Sequence, residues 1–154
     1  MKILLPVDGS EYSKAAVHEL LSRPWPADTQ VEVLSVAHPT PEYLDPRMVA
    51  SAIHVESLER EMKRARQNVD EAAGAIRQGA ALLDVSTKIL EGSPKEAILR
   101  EAAAWGADLI MLGSHGYGFA MRFLLGSVSH AVALHAPCSV EIVRSRTAEA
   151  GPKS

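Results

Sequence analysis

The stretch Asp108-Leu109-Ile110-Met111-Leu112-Gly113-Ser114-His115-Gly116, followed after nine residues by Gly126-Ser127, decides the fold. A short apolar run bounded by glycine reads as a buried strand. The glycines after it read as a loop, and Ser127 reads as a helix start. A strand end, a glycine-rich loop and a helix start together make the geometry that cradles phosphate with backbone N–H groups. Chance competes poorly with this reading. Three glycines at about 7% each, with a hydroxyl residue at roughly one in ten, give on the order of 1 in 30,000 per starting position.

Working outward, strand and helix patterns alternate. Lys2 to Val7 is an apolar strand closed by Asp8-Gly9-Ser10. Ser10 caps a helix to about Leu21 with Ala15, Ala16, Val17, Leu20 and Leu21 on its apolar face, and Pro24 and Pro26 prevent its continuation. Thr29 to Val36 is the second strand. Ala37 to Pro46 holds three prolines and reads as a loop. Asp45-Pro46 predicts the opening of a long helix to about Gln78. Met62, Ala65, Val69, Ala72 and Ile76 step along one face of it, and Gly79 suits its C-terminal cap. Val85 to Leu90 is the third strand. Ser93-Pro94-Lys95-Glu96 has the form of a capping box, opening a helix that buries Ile98, Leu99, Ala102 and Ala103 and ends near Gly106. Asp108 to Leu112 is the fourth strand, Gly113 to Leu125 the loop, Ser127 to about His135 the fourth helix, and Ser139 to Arg144 the fifth strand.

This order predicts an α/β fold, an open five-stranded parallel sheet with helices on both faces. Such sheets bind ligands at the carboxyl ends of their strands, where strand order reverses. Asp8, Val36-Ala37 and the Gly113 loop all follow strand ends, so they fall on one rim.

The chain of 154 residues suits a single domain, read as residues 1–146 with a frayed tail over 147–154. Hydrophobic residues make up 47% and charged residues 23%, with a net charge of −3 and no basic patch, which argues against nucleic acid as a partner. The apolar start Ile3-Leu4-Leu5 is too short for a membrane span. One cysteine, Cys138, excludes an internal disulfide framework and fits a reducing compartment, so a cytoplasmic location is expected.

Four segments together resemble the universal stress protein family: Ile3-Leu-Leu-Pro-Val-Asp-Gly-Ser10, Glu91-Gly-Ser-Pro94, Gly113-Ser-His-Gly116 with Gly126-Ser127, and Ala136-Pro-Cys138 before the last strand. The resemblance covers about residues 1–144. It implies strand order 3-2-1-4-5 in a Rossmann-like sheet akin to that of the adenine nucleotide α-hydrolases. It also implies a homodimer through residues 139–144 and membership of the ATP-binding branch, which carries the glycine pattern. ATP is the implied ligand, with Mg2+ as its companion. One departure is Glu141, where the family usually has an apolar residue. Strand alternation points Glu141 away from the core while Val140 and Ile142 point inward.

Gly113, Gly116 and Gly126 would let backbone approach phosphates closely, with positive φ allowed, or are plain turn glycines. Ser127, at the helix start, would donate to a phosphate or act as an N-cap, and Val128 and Ser129 add first-turn N–H groups. The resemblance places Asp8 near the ribose or a phosphate-bound metal. The competing reading is a turn aspartate holding the Gly9 and Ser10 N–H groups. By the same resemblance Pro6 and Val7 touch adenine, and Val36 meets its edge or simply packs in the core. Leu112, Ser114 and His115 complete the candidate set. Ser114 and His115 either meet phosphate or shape the loop, and Arg122 either closes over phosphates or faces water.

There is no G-x-x-x-x-G-K-[ST] loop, and no arginine finger or serine-histidine-aspartate spacing is evident. Gly116-Tyr117-Gly118 begins a dinucleotide fingerprint that fails at Met121. His130 and His135 do not share a helix face, and His18, His38 and His54 are scattered, so no zinc site is expected. Cys138 reads as a buried thiol. The expected function is therefore an ATP-binding stress-response regulator. Bound ATP would order residues 113–126 and 37–46, with hydrolysis slow or absent. The alternatives are an adenylyl-transfer or ATP-hydrolysing enzyme of the adenine nucleotide α-hydrolase group, and a nucleotide-free dimeric scaffold.

Overall fold

A computed structural model describes residues 1–38, 52–116 and 125–145. The helix start expected at Asp45-Pro46, most of the 37–46 loop, Arg122 with the rest of 117–124, and the 147–154 tail lie outside the described residues.

Strands and helices alternate as β1 Lys2–Pro6, α1 Glu11–Leu21, β2 Gln30–Ala37, α2 Ala52–Gly79, β3 Asp84–Glu91, α3 Pro94–Trp105, β4 Leu109–Gly113, α4 Ser127–His135 and β5 Ser139–Val143. The strands form one sheet in the order β3-β2-β1-β4-β5, every neighbour parallel, as the resemblance implied. Parallel neighbours cannot be joined by tight turns, and a helix spans each crossover. From β1 the chain winds outward through β2 to β3. It then crosses to β4 on the other side of β1, with Ile3 beside Leu109 and Leu4 beside Ile110. Strand order thus reverses between β1 and β4.

Alternation along the strands sorts the core into two layers. Ile3, Leu5, Val31, Val33 and Met111 face α1 and α2, where they meet Val17, Leu20, Val69 and Ile76. Leu4, Leu34, Ile110 and Leu112 face α3 and α4, where they meet Ile98, Ala102 and Val132. Full burial of one such side chain is worth about 1.5–3 kcal/mol, so both faces contribute substantially. In α3 the buried face is Ala97, Ile98, Glu101 and Ala102, whereas Ala103, expected inside, is exposed.

The helix ends follow local chemistry with two corrections. Ser10 caps α1, its side chain accepting from the Ser13 N–H at 3.2 Å. Gly106 closes α3 in the left-handed conformation at φ 73°. Ser93 sits at the N-cap of α3 but makes no side-chain cap bond. Pro94 at the first helical position removes one N–H that would need a partner and presets φ, so that start does not depend on the hydroxyl. Gly79 is the last residue of α2 rather than a left-handed cap. A Cβ there would stand 2.8 Å from Leu21 Cδ2, so its role is close packing against α1.

Glu141 lies on the α1 side of β5. The Arg23 guanidinium holds it with two donors, Nη1 to Oε2 at 2.8 Å and Nη2 to Oε1 at 2.6 Å. Val140 and Ile142 pack on the opposite layer, as alternation requires. Cys138 is half-buried rather than buried, and desolvation pushes its thiol pKa up. Among the described residues no helix is long and apolar enough to cross a membrane.

Candidate functional site

A cleft of about 450 Å³ opens at the carboxyl ends of β1, β2 and β4, beside the reversal of strand order. Twelve of the thirteen candidate residues line it: Pro6, Val7 and Asp8 after β1, Val36 on β2, Leu112, Gly113, His115 and Gly116 from β4 and its loop, and Gly126 to Ser129 at the start of α4. Ser114 lies beneath the loop instead, buried.

The loop is drawn tight by Ser114. Its N–H donates to the Val143 carbonyl at 2.9 Å, which ties the loop to β5. Its carbonyl accepts from the Gly126 N–H at 2.9 Å and from Ser129 Oγ at 2.7 Å. Its hydroxyl is 3.0 Å from His115 Nδ1. The His115 ring tilts against Tyr12 of α1, with centroids 4.9 Å apart. The hydroxyl of Ser129 is thereby engaged within the loop, and so is the N–H of Gly126.

Those bonds leave the first-turn N–H groups of Ser127, Val128 and Ser129 pointing back along α4 with no intrahelical carbonyl to meet. Gly126, the N-cap, supplies no side-chain cap. An anion is the natural partner of such an end.

Closeness to neighbouring protein atoms, and not positive φ, marks these glycines. Gly113, Gly116 and Gly126 have ordinary φ, and Gly9, Gly92 and Gly106 are the described glycines with positive values. A Cβ on Gly113 would stand 2.5 Å from the Tyr12 carbonyl carbon. One on Gly126 would stand 3.1 Å from His115 Cα.

Asp8 is a turn residue and a cleft residue at once. Its Oδ1 accepts from the Ser10 N–H at 2.9 Å. It lines the cleft between the glycine loop and α2.

The cleft also contains residues that sequence reasoning missed. Glu61, Arg64, Ala65 and Asn68 of α2 line one wall, and Ser13, Ser35 and His38 add polar groups. Spacing of three and four puts the α2 residues on one helix face, continuous with the buried Ala65 and Val69. That periodicity was the available signal, and it singles out only the apolar members of the stripe. Leu34, Val36, Ile98 and Leu112 give the opposite part of the cleft an apolar lining. The lining therefore offers both apolar surface for a flat ring and N–H groups for an anion. Among the described residues no group of three His, Cys, Asp or Glu side chains is placed to hold a metal ion unaided.

Comparison with known proteins agrees with this architecture. The family model of the universal stress protein family matches residues 1–144. A universal stress protein of Thermus aquaticus is 34% identical over 145 residues, covering 92% of this chain and 97% of its own. The solved structure of UspA from Lactobacillus plantarum has a TM-score of 0.79 at 28% identity, covering 94% of this chain and 97% of that one. A universal stress protein family protein from Arabidopsis thaliana, crystallised with AMP bound, shares the fold with a TM-score of 0.72 at 18% identity, covering 99% and 97%. This chain belongs to the universal stress protein family.

Proposed function

We propose that this universal stress protein binds ATP in the cleft as a ligand that sets conformation, with hydrolysis slow or absent. The observation that carries the reading is the meeting of the glycine loop, the uncapped start of α4 and Asp8 in one cleft. The AMP in the Arabidopsis relative supports an adenine nucleotide as the ligand class. The residues fit that ligand. Side chains at Gly113 and Gly126 would crowd the loop that forms the cradle, and the α4 N–H groups suit phosphate oxygens. The partly exposed Val36 in the lining suits contact with a purine ring. Mg2+ would arrive with the triphosphate, with Asp8 as its protein-side helper.

N–H groups and a helix end stabilise phosphate charge already present in the ground state. Fast cleavage also needs groups stronger in the transition state and a positioned water. The same reading takes residues 1–146 as one domain and locates the protein in the reducing cytoplasm. It pairs residues 139–144 with a second copy, because β5 is a sheet edge with unpaired backbone groups.

Freshly purified protein is denatured and the released small molecules are chromatographed. The emptied protein is then titrated with Mg-ATP by calorimetry. Released adenine nucleotide or saturable heat supports the reading. No nucleotide, and no heat up to about 1 mM, overturns it and leaves a scaffold. Turnover above about 1 per second, the low end of ordinary enzymes, overturns the slow-hydrolysis part.

A further inference from the structure

We propose that Arg64 of α2 determines phosphate-chain specificity, gripping the distal phosphate of a nucleoside di- or triphosphate across the cleft from the glycine loop. The inference rests on the nucleotide reading above and adds which nucleotide the cleft selects.

The glycine loop and the start of α4 offer neutral N–H donors. Among the described residues lining the cleft, Arg64 is the one permanently charged cation, and Asp8 and Glu61 are carboxylates. A monophosphate can be held by N–H groups and a helix end. A di- or triphosphate brings more negative charge past Asp8 than the Mg2+ that accompanies it neutralises, and a side-chain cation offsets the remainder.

The position of Arg64 follows from Asn68. A Cβ on Gly9 would stand 2.6 Å from Asn68 Oδ1, so Asn68 sits directly over the turn between β1 and α1. Arg64 is one helical turn earlier on the same face, about 6 Å along the axis. It therefore stands one turn beyond the contact with the β1–α1 turn, and it lines the same cleft as Asp8 and the glycine loop. Its side chain is 48% exposed, and its Nη1 is 3.8 Å from Glu61 Oε1. That separation is an ion pair longer than a hydrogen bond. A phosphate offers the planar guanidinium a two-pronged contact.

The experiment measures Kd for Mg-ATP, ADP, AMP and adenosine on wild type, Arg64→Gln, Arg64→Lys and Glu61→Gln, all emptied of ligand and checked for an unchanged melt. In Arg64→Gln, ATP should weaken about tenfold or more, ADP less, and AMP and adenosine within about twofold. Arg64→Lys should recover part of the loss. Glu61→Gln removes a competing carboxylate and should strengthen ATP a few-fold while sparing AMP. Equal losses for ATP and AMP in Arg64→Gln, or no loss for either, overturn the role of Arg64 and leave the nucleotide reading standing. A wild type that binds no adenine nucleotide overturns both.

Discussion

A Cβ added to Gly116 would lie 3.0 Å from Asp8 Oδ2, so the glycine loop and the end of β1 are in contact across the candidate phosphate site. The neighbour is the far end of a side chain and can yield by a few tenths of an ångström. Gly116→Ala should therefore leave thermal stability within about 1 kcal/mol of wild type. It should displace the Asp8 carboxylate and weaken Mg-ATP about tenfold. Calorimetry beside a melting curve checks both halves, and a large loss of stability with intact affinity would contradict the relationship.

Gly113 has no such latitude, because its neighbours are the backbone carbon and oxygen of Tyr12, 2.5 and 2.6 Å from an added Cβ. Gly113→Ala should cost about 1–3 kcal/mol, as overpacking does. Gly74, inside α2, has nothing within 4 Å of an added Cβ. Gly74→Ala should stabilise by about 0.5–1 kcal/mol through helix propensity alone. Urea melts of the pair give opposite signs if closeness, and not glycine content, is what matters.

Much of this architecture was legible in advance. Five strands and their helices follow from apolar runs punctuated by Gly, Pro and Asp, because burial periodicity is local in the chain. Strand order came from the resemblance, since no local pattern says which side of β1 receives β4. For the glycines the sequence suggests close approach to phosphate, and the structure adds close approach to the protein's own backbone. Positive φ is a property of one residue, whereas the crowding of Gly113 by Tyr12 joins segments about a hundred residues apart. Arg64 was invisible for the same cause, its importance arising only when α2 lies over the Asp8 turn. The side-chain cap expected at Ser93 is absent, and Pro94 at the first helical position makes that helix start independent of it.

Glu32 of β2 is 7% exposed, its Oε1 buried without a hydrogen-bond partner, and it faces Glu101 of α3, itself 6% exposed. Burial raises its pKa above the ordinary 4.5, the charge of Glu101 adds to the rise, and Lys88 opposes it. Lys88 Nζ donates to Glu101 at 2.8 Å, and Lys2 of β1 also opposes the rise. An acid whose pKa is raised on folding contributes stability that is fully present below its unfolded pKa and lost as pH climbs through the folded value. Glu32→Gln should thus match wild type near the unfolded pKa and exceed it by on the order of 1 kcal/mol above the folded one. Denaturant melts from acid to mildly alkaline pH test the sign, and a gain confined to acid pH would refute it.

The Arg23 fork on Glu141 bears on self-association. In the proposed antiparallel pairing of β5 with a second copy, Glu141, the middle residue of the strand, comes close to its own symmetry mate. Like charges facing across strands are destabilising, and Arg23 cancels this one within each protomer. Arg23→Ala should weaken the dimer several-fold at low salt, with recovery as salt rises. Sedimentation velocity across ionic strength reads this directly, and a dimer indifferent to the substitution would sever the link.

The pair of hydrogen bonds that the Ser114 carbonyl accepts, from Gly126 N–H and Ser129 Oγ, works as a clasp that joins the two ends of the glycine loop. Once a loop is fastened at its base, lengthening it costs little, since doubling its length adds only about 0.6 kcal/mol of closure entropy. Closure entropy therefore sets no sharp limit on the number of residues between Gly116 and Gly126. A peptide tag or reporter could be spliced between Gly116 and Gly126, leaving the clasp fastened beneath it.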